Sequence, residues 1–157
     1  MRSQIELLGA TALIFLLCGC DAAWTTKDSW YREPSRELSS QLSPVDPAQF
    51  APVLSANEKA AEQLLADRPF CAITVEQEKA LLGRELPLPK GHQVFLLRGV
   101  CLNERTGGGF GVSAKDGYVL VYHWCMGHWP VPMKRRAVVV ILAEPPREVF
   151  VSCSMVS

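Results

Sequence analysis

The chain has 157 residues, 48% of them hydrophobic and 20% charged, and its 16 Lys and Arg balance 16 Asp and Glu. That length suits one small domain with an additional segment and excludes two ordinary domains. Zero net charge supplies no long-range field for polyanions and argues against a nucleic-acid partner. The six cysteines take their meaning from the compartment, and the start of the chain bears on that directly.

Arg2 and the amino terminus make a short positive region, Leu7 to Leu17 an apolar one of about eleven residues, and Leu17-Cys18-Gly19-Cys20 follows. Such a stretch rises about 16 Å as a helix, roughly half of a hydrocarbon layer, so it reads as an export signal and not as a permanent span. The longest later apolar run, Ala137 to Ala143, suits a buried strand.

Leu17-Cys18-Gly19-Cys20 resembles the lipobox of bacterial lipoproteins, in which an aliphatic residue, a small residue and Gly or Ala precede the acylated cysteine. The resemblance covers about the first 20 residues and extends to nothing in the mature chain. It implies that Cys20 becomes the acylated (palmitate-bearing) first residue and that the protein is held at the bacterial cell envelope, facing the periplasm, where two or three acyl chains anchor stably. Cys18 is an uncommon residue for its place in the pattern. Asp21 resembles the enterobacterial signal that retains lipoproteins in the inner membrane. The alternative is a plain signal peptide cut near Ala22 or Ala23.

Residues 20–54, with Pro34, Pro44, Pro47 and several serines, read as a lipid-anchored flexible tether after a signal peptide of residues 1–19. Trp24, Trp30 and Tyr31 within it are either interfacial rings close to the anchor or isolated exposed aromatics. A globular domain over 55–157 is expected. Ser55 and Glu58 have capping-box spacing ahead of a helix over 56–66, and Thr74 and Gln77 repeat it ahead of a second helix that Gly83 stops.

Five strands are then expected, at Gln93 to Cys101, about Gly109 to Ser113, Tyr118 to Cys125, Ala137 to Ala143 and Glu148 to Met155. Asp116-Gly117 predicts a hairpin between the second and third. Glu144-Pro145-Pro146-Arg147 predicts a tight connection and an antiparallel pairing of the last two. The fold class is α+β, two short helices packed on one face of a mainly antiparallel sheet of about five strands.

An exported domain with Cys71, Cys101, Cys125 and Cys153 is expected to carry two disulfides. Loops of about 30 residues favour Cys71 with Cys101 and Cys125 with Cys153, each worth roughly 3 to 4 kcal/mol in the chain-entropy picture.

His123, Cys125, Met126 and His128 supply metal-binding atoms at a spacing that matches no strong signature. A hydrogen-bonded, semi-buried His123 is the preferred reading, and a copper or zinc site using His123, Met126 and His128 the alternative. His92, in a Pro and Gly turn, reads as exposed. Gly107 to Gly111 lacks the residues of a phosphate cradle and reads as a loop. No Ser, His and acid set stands out, so no catalytic residue, metal or cofactor is assigned.

On the third strand Tyr118, Leu120, Tyr122 and Trp124 share one face, with Val119, Val121, His123 and Cys125 on the other. Both faces are apolar, so helices cover one, and the other is covered by loops or by a partner. Tyr122, Trp124 and Trp129 are the candidate binding surface. The functional expectation is a non-enzymatic envelope-accessory or immunity-type lipoprotein that binds an envelope or periplasmic protein. A periplasmic metal-handling protein is the alternative, and a hydrolase with an unrecognised site comes after it.

Overall fold

The computed structural model describes residues 32–102, 108–126 and 134–156, apart from the side chains of 99–102, 108, 125, 126, 134, 135 and 153–156. The signal peptide, Cys20, Trp24, Trp30, Tyr31, His128 and Trp129 lie outside the described residues. In chain order the elements are α1 (Arg36–Gln41), β1 (Ser43–Pro44), β2 (Phe50–Pro52), α2 (Glu58–Leu65), β3 (Phe70–Ala72), α3 (Val75–Leu82), β4 (Gln93–Leu102), β5 (Gly108–Lys115), β6 (Tyr118–Met126), β7 (Lys134–Leu142) and β8 (Glu148–Val156). The class is α+β, but there are two four-stranded sheets where one was expected. Sheet A has the order β1-β5-β6-β8 and sheet B the order β2-β7-β4-β3.

The sheets and helices make three layers. On β4 and β7, Phe95, Leu97, Val138, Val140 and Leu142 face sheet A and meet Val112, Val119 and Val121. The alternate residues Val94, Leu96, Ala137, Val139 and Ile141 face the helices and meet Ala61, Leu65, Leu81 and Leu82. Sheet B is therefore buried on both sides, which explains the uninterrupted apolar run in β7. The helices cover sheet B and not the face of β6, whose inner side is closed by sheet B.

Two expected features hold. Thr74 Oγ1 accepts the Gln77 N–H at 3.1 Å while Gln77 Oε1 accepts the Thr74 N–H at 2.9 Å, and Gly83 ends α3 in the left-handed region. The β5–β6 hairpin turns at Asp116 and Gly117, both at positive φ, the conformation for which Asp-Gly is selected. His92 lies in the expected turn, its backbone N–H donating to the Pro89 carbonyl, but it is half-buried and not exposed as expected.

Other expectations are corrected. β7 and β8 are not partners: β7 pairs antiparallel with β2 and β4, whereas β8 runs parallel to β6 from Tyr118↔Glu148 to Met126↔Val156. Pro145 and Pro146 lack the N–H a hairpin ladder needs and carry the chain from one sheet to the other. The N–H groups of Arg147 and Glu148 then donate to the Gly117 carbonyl, fixing the start of β8 beside the hairpin turn. Ser55 and Glu58 do not form a capping box. Ser55 Oγ accepts from Arg136, and Glu58 accepts the Ala137 N–H, while Asn57 donates to the Ala80 and Leu81 carbonyls at the end of α3.

The tether expected over 20–54 is corrected from Arg32 onward. Arg32 exchanges two backbone hydrogen bonds with Val151 at the edge of β8, whereas β1 pairs with β5 on the opposite side of sheet A. Residues 33–42 must therefore cross the sheet, four strand spacings or about 19 Å. The outward-facing Phe150 and Leu120 are buried; the Arg32 guanidinium lies over the Phe150 ring and Ser152 Oγ donates to Glu33, which sets this crossing strap on the outer face. The chain then passes to sheet B, where Ala51 and Val53 enter the core and Phe50 meets Phe110 edge to face at 5.2 Å.

The disulfide expectation is corrected at Cys71, which is buried and carries a free thiol. Cys71 lies opposite Leu96, so Cys101 is about 16 Å further along β4, far beyond the roughly 7 Å limit between bridged Cα atoms. Cys153 lies opposite His123, with Cys125 two residues on.

Because the segment expected to be a tether is part of the core, Val53→Ala should cost about 2 kcal/mol. Urea unfolding monitored by circular dichroism measures this; a truly detached segment would give no change.

Candidate functional site

The outer face of sheet A divides into two halves. At the strap end Leu120 and Phe150 are buried. At the other end Tyr122 is half-buried, and Trp124 is 36% exposed, among the largest exposed apolar side chains of the described residues. Their rings stack with centroids 5.8 Å apart and planes inclined by 28°.

What lies beneath the rings accounts for this arrangement. Gly111 is the cross-strand partner of Tyr122 and Gly109 that of Trp124. A Cβ on Gly109 would lie 2.6 Å from the Trp124 ring, and one on Gly111 would run into the Tyr122 ring. The rings thus lie down on a backbone floor instead of standing up from the sheet, a packing that compensates strand glycines for their missing side chains. Gly108 to Gly111 belong to β5, which corrects the reading of Gly107 to Gly111 as a loop at all but Gly107, outside the described residues; Gly109 and Gly111 alternate with inward-facing Phe110 and Val112.

His123 points the other way, toward the second sheet, and is 1% exposed. Burial disfavours the imidazolium and lowers its pKa. The ring is more deeply buried than the semi-buried state expected. Among the described residues no group of three or more His, Cys, Asp or Glu could hold a metal ion, and the remaining residues of that alternative, Met126 and His128, have no described side chains. Cys71 Sγ donates to the Leu64 carbonyl at 3.7 Å, and burial pushes the thiol pKa up, away from the thiolate that chemistry requires.

Buried polar groups in the helical layer have structural partners. Arg98, 4% exposed, donates to Glu62 at 2.9 Å and to the Arg68 carbonyl at 3.2 Å, joining β4 to α2. Glu78 accepts the Leu86 N–H at 2.6 Å. Glu78 and Arg98 carry no signal in the sequence, because charged residues on amphipathic elements ordinarily read as solvated, and Glu58, expected in a capping box, serves β7 instead.

Compared with family models, with curated proteins and with solved structures, the chain gives no match. Among the described residues no helix is long and apolar enough to cross a membrane.

Glu58 carries a carboxyl group displaced by burial. Where β2 ends, its two oxygens take the Ala137 N–H at 3.2 and 3.3 Å, and burial outweighs that bond and the Arg136 charge to push its pKa up to about 7. The folded state therefore holds this proton more tightly than the unfolded chain, and stability falls as pH rises from about 4.5 to 7. Glu58→Gln keeps an acceptor for Ala137 without the charge. The variant should match the wild type at about pH 4 and exceed it by about 1 to 2 kcal/mol at pH 8, after discounting for partial exposure; denaturation at the two pH values measures the difference.

Proposed function

We propose that this protein is a lipoprotein of the bacterial cell envelope, anchored at Cys20 and facing the periplasm, whose domain binds another envelope or periplasmic protein. The observation that carries the binding reading is the Tyr122 and Trp124 pair, stacked on Gly109 and Gly111 and presented on the outer face of sheet A. Two flat amphipathic rings offer large contact area with few rotors to freeze. The glycine floor holds them in place before any partner arrives, which lowers the ordering cost of association.

The lipid-anchor reading rests on Leu17-Cys18-Gly19-Cys20. Because Arg32 is already fixed to β8, about a dozen residues separate anchor from body and allow at most about 40 Å between them. A partner would be met close to the membrane surface. His123 is buried between the sheets and the buried Cys71 thiol has a raised pKa, so neither group is presented to a substrate at the surface. The role remains that of an accessory subunit or an immunity-type inhibitor.

Two outcomes are expected. Mass spectrometry of the mature protein should find an acylated Cys20 at the amino terminus; a chain starting at Ala22 or beyond rejects the anchor. Trp124→Ala should leave the thermal midpoint nearly unchanged and weaken capture of a specific envelope protein by about 2 kcal/mol or more, the scale of an interface hot spot. Leu88→Ala, at an exposed position outside sheet A, should leave capture unaltered. A large loss of stability with Trp124→Ala, and undiminished capture by the folded fraction, would assign the rings to packing.

A further inference from the structure

At the end of the sandwich where β5 turns into β6, a cavity of about 260 Å³ opens between β1 with the residues that follow it (Ser43 to Asp46), the hairpin turn and the start of the link from β7 to β8. We propose that it is a binding site for an organic cation, a primary amine or guanidinium on a short aliphatic stem. The site is independent of the Tyr122 and Trp124 surface, which lies further along β6 on the outer face.

Size sets the first limit. Pockets that enclose drug-sized ligands or cofactors run from roughly 300 to 1,000 Å³, so this one suits a single long side chain or a small metabolite. The floor is apolar, built from Val119 and Leu142 at the margin of the inter-sheet core, and would receive the methylene stem.

Charge sets the second limit. Asp46, Asp116 and Glu144 stand at the rim against Lys115, with His92 beside them, so carboxylates outnumber ammonium groups and the local field favours a cation. The rim is also held in place. Asp46 Oδ1 accepts the Ala48 N–H at 2.9 Å, His92 Nδ1 bonds the Lys90 carbonyl at 3.3 Å, and the Gly117 carbonyl beside Asp116 accepts two N–H groups from the β7–β8 link. A rim anchored at these points loses less freedom on binding. An acidic rim alone would attract ions without selecting shape; the apolar floor adds the requirement for a stem, which separates an alkyl ammonium from a simple metal ion.

The test is a nitrogen-15 chemical-shift titration of the full chain, in detergent micelles, with agmatine, with acetyl-lysine-methylamide and with glutarate. Both cations should shift the amides of Lys115, Asp116, Gly117 and Glu144 saturably, with dissociation constants near the millimolar range expected for so few apolar atoms. Glutarate should not. The double variant Asp116→Asn with Glu144→Gln changes charge at two exposed positions with little change of size, and should weaken agmatine at least about fivefold; added salt near 0.3 M should weaken it at least about threefold. Tighter binding of acetyl-lysine-methylamide than of agmatine assigns the site to a basic side chain of another protein, and the reverse order to a free amine; either supports the proposal. Equal shifts from glutarate, no saturable shift by either cation up to about 50 mM, or undiminished affinity in a double variant whose spectrum stays dispersed would overturn it.

Discussion

The antiparallel pairing of β4 with β7 is the constraint on which the rest of the molecule depends. Both strands bury both faces, with Phe95, Leu97, Val138 and Val140 on one side and Val94, Leu96, Val139 and Ile141 on the other. A two-sided apolar ribbon is stable only between two covers. Sheet A supplies one and the helices α2 and α3 the other. Sheet A then has an outer face of its own, and the strap from Arg32 covers part of it and leaves the rest to the rings of Tyr122 and Trp124.

The edges of that ribbon are closed by short pieces and by side chains. β2 and β3, three residues each, pair along part of β7 and β4. Beyond the end of β2 the Ala137 N–H is taken by Glu58, and Arg98 ties β4 to α2 through Glu62 and the Arg68 carbonyl. Single unpaired groups at such an edge are costly when buried, and a carboxylate or guanidinium from a neighbouring helix closes the position without adding a strand. For Glu58 this service has an electrostatic cost, seen in its raised pKa.

The outer face of sheet A and the cavity at the hairpin end are kept apart by the same topology. β1 pairs with β5 at Ser113 and Ala114 and lines the cavity, whereas the rings of Tyr122 and Trp124 lie further along the sheet, over Gly111 and Gly109. Glycine has two separate uses in this region. At 117 it provides the positive φ of the turn, and at 109 and 111 it removes side chains so that aromatic rings can lie flat.

The sequence by itself determined the local elements. The Thr74 and Gln77 cap, the Asp116-Gly117 turn, both core helices and all five long strands follow from capping chemistry, turn chemistry and period, which involve residues close in the chain. It also showed that β6 and β7 are apolar on two faces. What covers those faces was decided only by tertiary structure, because periodicity reports that a side is buried and is silent about what buries it. The separation of β7 from β8, the parallel pairing of β8 with β6 and the strap made from a Pro- and Ser-rich segment all depend on contacts between distant residues, where chain entropy and core packing outweigh local preference. The free thiol of Cys71 belongs with these: strand register, set by the inter-sheet core, puts it opposite Leu96 and out of reach of Cys101.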